Sequence, residues 1–475
     1  MSFIILVVFF VGLALIDGPQ WCVDTPSYVN MDFSREPVYP LFLNGLRTLF
    51  EKLGISSEAY GLPAYLTMAV VLQSLLWAVA TYRLGVFVYD RCRSNMSEGR
   101  ARFMMILAEA LQVMVACLNR FVAKRGSMYS ESLMTESLAM PLFVLFTVLL
   151  LKSFKEYNLK NCIKLFCLAV IIGSVRKQML IVVLMWGCCS FVLHILLNNY
   201  RSLKKFSYTV IFVVLTIVAI TFFDRGYNQA VRGIFARHTG NSRGGLCTLL
   251  YTSDAGDAEL FKKNEKYPGL RELYIEIINE SEGRNLTIAQ CDAYEEGAKV
   301  FGSEWTQVVS HYADSYDVIG FDVVHPLCND YVRERFPDLK GAEAELVEDQ
   351  VEKELFNTLL AGHISRIFKE READTRYVFL ANILKAFVIS NANIRPTILI
   401  KVSAVIYAFY LALFILYCIR KKDIPLFSFV VITGLAINCV VTGALIFPQP
   451  RYMCYSMGLF YLTLFYMALQ IVKKD

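Results

Sequence analysis

Charge is what this 475-residue chain has least of. Asp, Glu, Lys and Arg make up 19% of it against 56% hydrophobic residues, and the mean hydropathy is +0.46. That balance excludes an ordinary soluble enzyme and defines a polytopic membrane protein. Histidine is scarce too, with five in the chain. His311, Asp314, Asp317, Asp322 and His325 could hold a metal only if the fold gathered them, because they show neither H-x-x-x-H spacing nor a cysteine pair beside them. A structural role is the stronger reading for that group. The stretch 240–245, GNSRGG, lacks the Lys-[Ser/Thr] and the strand-to-helix setting of a phosphate loop, which excludes nucleotide binding there. No repeat or low-complexity tract occurs. Most of the 13 cysteines lie in or beside apolar runs, as small buried residues do. Cys22, Cys247, Cys291 and Cys328 fall in regions expected outside the membrane, where disulfides can form but no pairing follows from the sequence.

The net charge of +5 hides an asymmetry. Between Asp224 and Arg376 lie 28 of the 42 acids but only 18 of the 47 basic residues, leaving that segment at −10 and the rest at +15. A positive remainder is what the positive-inside rule produces, so it gives no reason to invoke nucleic acid.

Ten apolar runs read as spans: 3–16, 62–86, 103–118, 137–151, 163–174, 179–197, 210–223, 397–417, 425–446 and 452–472. The first is short, and nothing about it suggests a cleaved signal peptide. Basic turns at Arg91, Arg93 and Arg100, at Lys152 and Lys155, at Lys204 and Lys205, and at Arg420 to Lys422 alternate with the other ends. The expected topology therefore has both termini cytoplasmic and the opening loop, 17–61, outside. Pro37 and Pro40 open an amphipathic run through Leu41, Leu46, Leu49, Phe50 and Leu53, which predicts a helix lying in the interface. The fold class is thus an all-α polytopic membrane protein with an interfacial helix after the first span. Its expected parts are an N-terminal membrane module at 1–223, an inserted extracytoplasmic and mostly helical domain at 224–393, and a C-terminal membrane module at 394–475. Helix-favouring stretches at 270–278 and 343–360 belong to the middle part.

The densest chemistry sits in the opening loop. Asp24 is a carboxylate just beyond a span and can serve as a general base toward a hydroxyl; taken alone, it could equally cap a helix or pair with Arg35. Glu136 could cap the fourth span through the helix dipole or serve a functional role. Arg176 and Arg451 could simply snorkel to headgroups.

The surrounding pattern shifts those odds. Asp24 and Tyr28 followed by Arg35-Glu36-Pro37, then Tyr39-Pro40, resembles the first external loop of the GT-C superfamily of integral-membrane glycosyltransferases, which includes protein O-mannosyltransferases and aminoarabinose transferases. Thr135-Glu136 resembles the T-[ED] element of that family. Gly173 to Arg176 resembles its G-x-x-x-x-RP segment, with altered spacing and Lys177 in place of the proline. Pro450-Arg451-Tyr452 resembles its PRY element. The likeness covers the membrane part only.

It implies an inverting transfer of a sugar from a polyprenyl-phosphate-type carrier to a glycan, lipid or protein acceptor, on the extracytoplasmic side of a bacterial plasma membrane. Asp24 would be the base, and Glu136 or Glu131 an acceptor-positioning acid. Tyr28, Arg35, Tyr39, Arg176, Arg451 and Tyr452 would bind substrate. The motifs require no cofactor and leave a divalent metal open. A transporter or flippase of lipid-linked saccharides, or a silent lipid-binding relative, are the alternatives. A transporter would bury ionisable groups mid-membrane, whereas here they cluster at loop ends.

Overall fold

A computed structural model describes residues 1–122, 126–262, 264, 266–295, 304–369, 373–392 and 396–472. The N-terminal part contains α1 (Ser2–Asp17), the short α2 (Thr25–Val29), α3 (Val38–Lys52), α4 (Ala64–Arg93), α5 (Glu98–Phe121), α6 (Glu136–Lys155), α7 (Leu159–Val175), α8 (Ile181–Phe191) and α9 (Leu203–Arg232). The middle part contains α10 (Arg243–Leu250), α11 (Leu270–Gly283), α12 (Trp305–Val318), α13 (His325–Arg335), α14 (Ala342–Lys369) and α15 (Ala373–Ala392). The chain closes with α16 (Pro396–Lys421), α17 (Leu426–Leu445), α18 (Pro450–Met453) and α19 (Met457–Val472).

Among the described residues, eight helices are long and apolar enough to cross a membrane: Ala64–Arg93, Glu98–Phe121, Glu136–Lys155, Lys177–Leu196, Leu203–Arg232, Lys401–Lys421, Leu426–Leu445 and Pro450–Val472. All ten expected runs are helical along most of their length, the second beginning only at Ala64. The first and fifth, however, form α1 of 16 residues and α7 of 17. At 1.5 Å per residue these measure roughly 24–26 Å, less than the ~30 Å hydrocarbon layer. α6 is the best-sheltered span, buried along most of its length, while α9 turns Val210, Ile211, Val214, Leu215 and Val218 outward.

α3 starts after Pro37, as the proline pattern predicts. Its stripe divides: Tyr39 and Leu43 enter the core, Leu46 and Phe50 pack against it, and Leu41, Leu49 and Leu53 stay exposed. The chain then makes a two-residue hairpin, Glu58–Ala59 against Leu62–Pro63, before α4. The Tyr60 ring of that hairpin covers Gly18, where a Cβ would come within 2.6 Å of the ring and φ is +77°. Only glycine fits there. That contact fixes where the opening loop leaves α1.

Two apolar cores form. One, around Trp77, Phe143, Phe146, Trp186, Phe427 and Phe460, joins the membrane helices. The other runs from Leu246 to Ala381, and α14 feeds it with Val351, Leu355 and Leu359 at four-residue spacing. α15 belongs to both: Tyr377, Val378 and Ala381 pack in the second core, Ala386 and Ile389 in the first. The boundary expected at 393 lies outside the described residues. None of Cys22, Cys247, Cys291 and Cys328 forms a disulfide.

Candidate functional site

Two loops pair to build the site. Gln20 donates its backbone N–H to the Glu131 carbonyl at 3.0 Å and accepts from the Leu133 N–H at 3.0 Å. The Thr25 hydroxyl adds a bond to the Leu133 carbonyl, also 3.0 Å. This register lays the opening loop beside the loop preceding α6, so that Asp24 and Glu136 approach a common neighbour.

That neighbour is Arg451. Its guanidinium lies 3.3 Å from the Asp24 carboxylate and 3.6 Å from that of Glu136. Arg35 holds the other Asp24 oxygen at 2.8 Å, and Arg176 holds Glu136 at 2.6 Å. The Thr135 hydroxyl accepts from Arg176 at 3.1 Å and donates to Glu136 at 3.2 Å. The chain can deliver Arg176 here because α7 ends at Val175 and Arg176 itself is extended, with φ −158°, before a single 3-10 turn at Lys177–Leu180. Asp24 stands at the N-cap of α2 without making the capping hydrogen bond. The capping reading of that residue therefore fails, and the Arg35 pair is formed.

Aromatic rings support the guanidiniums. Arg35 lies 4.7 Å over Tyr28, while Arg176 and Arg451 lie 4.5 and 4.9 Å over the ring of Tyr452. Tyr39 stands behind Tyr28, ring centroids 5.0 Å apart, and donates its hydroxyl to Gln73 at 2.9 Å. It is fully buried and has become part of the support. The carbonyl of Tyr452 accepts from Gln178 at 3.0 Å and Asn438 at 2.9 Å. No motif points to Gln178 or Asn438.

Exposure divides the acids. The Asp24 side chain is 28% exposed and that of Glu136 only 1%, so Asp24 stands at the mouth and Glu136 is sealed behind two arginines. Burial pushes the Asp24 carboxyl up, but Arg35 and Arg451 outweigh it and hold the group below the usual carboxylate range. The five touching charged side chains, three guanidiniums and two carboxylates, sum to one positive charge. Such a cluster has room in its charge balance for one more anion.

Glu131 takes different partners. It accepts the Met128 N–H at 2.9 Å and faces Arg120 at 3.4 Å. Burial raises its carboxyl to about 7. It braces the loop and is not brought together with Asp24 and Glu136. Asp317, on α12, lies near the cluster's edge: burial raises its carboxyl, with Arg451 opposing and Asp24 adding to the rise.

The histidine and aspartate group does not gather. His311 bonds Tyr251 at 2.8 Å and the Asn285 carbonyl at 3.0 Å. His325 instead joins Glu348 and Glu352, with candidate ligand atoms within 4.8 Å of one another. Arg243 already occupies that position, donating to Glu352 at 2.8 Å and lying 3.4 Å from both His325 and Glu348. A half-buried arginine supplies the cation there, and a metal would have to displace it.

The fold and the cluster thus define an almost wholly helical polytopic membrane protein with a partly buried arginine and carboxylate network where its loops meet its spans. No family model, curated protein or solved structure matches the chain.

Proposed function

We propose that this protein is an inverting glycosyltransferase that moves a sugar from a polyprenyl-phosphate-type carrier to a glycan, lipid or protein acceptor. The observation that supports it most is Arg451 joining the Asp24 and Glu136 carboxylates while Arg35 and Arg176 leave one positive charge in excess. The reading places the cluster on the extracytoplasmic face of a bacterial plasma membrane, where a carrier phosphate lies at headgroup depth.

The acceptor oxygen attacks the anomeric carbon as the carbon–oxygen bond to the phosphate breaks. The departing phosphate takes the bonding electrons and is met by the guanidiniums, and the acceptor proton passes to Asp24. At rest Asp24 is a weak base, since both its oxygens face arginines. An incoming phosphate competes for Arg35 and Arg451, which frees a carboxylate oxygen and raises its basicity at the moment it is needed. Glu136, sealed inside, holds Arg176 and Arg451 in place instead of meeting the acceptor.

The test is a transfer assay on the purified protein in lipid nanodiscs, using a radiolabelled polyprenyl-phosphate sugar. Release of free carrier phosphate that depends on Asp24 supports transfer. Intact carrier crossing the membrane would replace this reading with transport.

A further inference from the structure

A cavity of about 290 Å³ lies apart from the arginine cluster, between the second core and the end of a span. Gly245 and Leu249 of α10, Phe356 and Leu360 of α14, Phe379 of α15, and Ala444 and Leu445 at the end of α17 line it. Among the described residues the one polar side chain in its wall, His363, is turned to partners of its own: Nε2 to the Ser253 hydroxyl at 3.0 Å and Nδ1 to that of Thr375 at 2.9 Å. The walls therefore offer water almost nothing to bond to. An apolar space of this kind takes an apolar guest, and roughly 150 Å³ already suffices for benzene.

Two features say which guest. Ile364 and Leu445 line the cavity yet are 44% and 47% exposed, so its rim is apolar as well as its interior. Leu445 is also the last residue of a membrane-crossing helix, which sets the rim at the level where a span leaves the bilayer. A lipid chain can enter from there without crossing a polar surface, whereas a soluble apolar molecule would first have to cross the lipid or the headgroups. At about 290 Å³ the space is well above the ~150 Å³ that takes benzene, so it admits a length of hydrocarbon chain. The glycines matter here: a Cβ on Gly245 would come within 2.5 Å of the Phe356 ring, so α10 and α14 approach as closely as they do only because that position is bare.

We infer that this cavity holds one hydrocarbon chain of a membrane lipid, acyl or isoprenoid. The inference stands whether or not the cluster transfers sugar. It adds a lipid-binding site whose rim residue Leu445 stands six residues before Arg451 in the chain.

The full-length protein in nanodiscs would be irradiated in two arms, with a diazirine-tailed phosphatidylglycerol and with a diazirine-bearing polyprenyl phosphate, and the labelled peptides mapped by mass spectrometry. Label on the α10, α14 or α17 lining residues is expected in at least one arm, and the arm identifies the chain. Ala444→Phe fills the space, and Ile364→Arg puts a charge on the rim at an exposed position that folding tolerates. Either should lower the lining label at least tenfold while label on the exposed face of α9 is unchanged. No lining label in either arm, or undiminished lining label in a folded Ile364→Arg protein, overturns the site.

Discussion

Replacing Asp24 by Asn and Arg451 by Gln separates two properties of the cluster that a simple loss of activity would confuse. Both residues touch each other, so both variants break the same 3.3 Å contact. Their charges move in opposite directions: the five contacting side chains go from +1 to +2 in Asp24→Asn and to 0 in Arg451→Gln. A phosphate about 5 Å from one guanidinium, at an effective dielectric of 20, gains roughly 3 kcal/mol, about a hundredfold in affinity. Asp24→Asn should therefore bind polyprenyl phosphate as tightly as the parent or tighter, yet turn over ~10²–10⁴-fold more slowly for want of its base. Arg451→Gln should lose both, and it also leaves sealed Glu136 with a single guanidinium. The stability cost of Asp24→Asn is about 1–2 kcal/mol, between an exposed and a buried pair, because Asp24, Arg35 and Arg451 are each 20–28% exposed. Equilibrium binding by native mass spectrometry and single-turnover transfer would be measured on the same preparations. Parental turnover in Asp24→Asn refutes the base assignment. Parallel loss of binding in the two variants refutes the charge argument.

Two further outcomes follow from groups around the cluster. Glu131 has its carboxyl raised from 4.5 to about 7 by burial. It holds its proton more tightly folded than unfolded, so its contribution is complete below about pH 4.5 and is lost as the pH rises through about 7. Thermal stability should fall across that window, and Glu131→Gln should flatten the fall; an unchanged slope would mean that the carboxylate is ionised throughout. Asp317→Asn removes a carboxyl that interacts electrostatically with both Arg451 and Asp24, so carrier-phosphate binding should hold or tighten, and weakened phosphate binding would contradict that placement at the edge of the cluster.

The spans were legible because hydropathy is summed over many residues, and the break between the fifth and sixth because Arg176 and Lys177 interrupt an apolar run. α15 was harder. Thr375, Asn382 and Lys385 give it the look of a soluble helix, and only its packing shows that Ala386 and Ile389 reach the membrane core. Short motifs identified Asp24, Arg35, Glu136, Arg176 and Arg451, which the structure does bring together. They could not separate Glu136 from Glu131: both are acids of one loop, and their partners differ because Gln20 pairs with the Glu131 and Leu133 backbone and turns one acid to Arg120, the other to Arg176. Gln178 and Asn438 carried no signal at all, since an amide in an apolar run looks the same whatever it binds.

Those two amides matter because Arg451 can reach the opening loop only if the last span starts at the right height. Gln178 at the head of the span containing α8 donates to Asn438 of α17 at 2.9 Å, and both donate to the Tyr452 carbonyl. Three spans thus meet at one backbone oxygen next to the residue that bridges the two acids. Asn438→Leu keeps the branched shape, removes one donor to Tyr452 and the acceptor shared by Gln178 and Thr442, and should cost about 1–3 kcal/mol through the lost hydrogen bonds. If the amides only stabilise the bundle, the variant will melt earlier and work normally once folded. If they set the height of Arg451, phosphate affinity will fall at temperatures where the protein is fully folded, and Asn438→Gln, which keeps the amide chemistry at the wrong reach, will restore stability more than affinity.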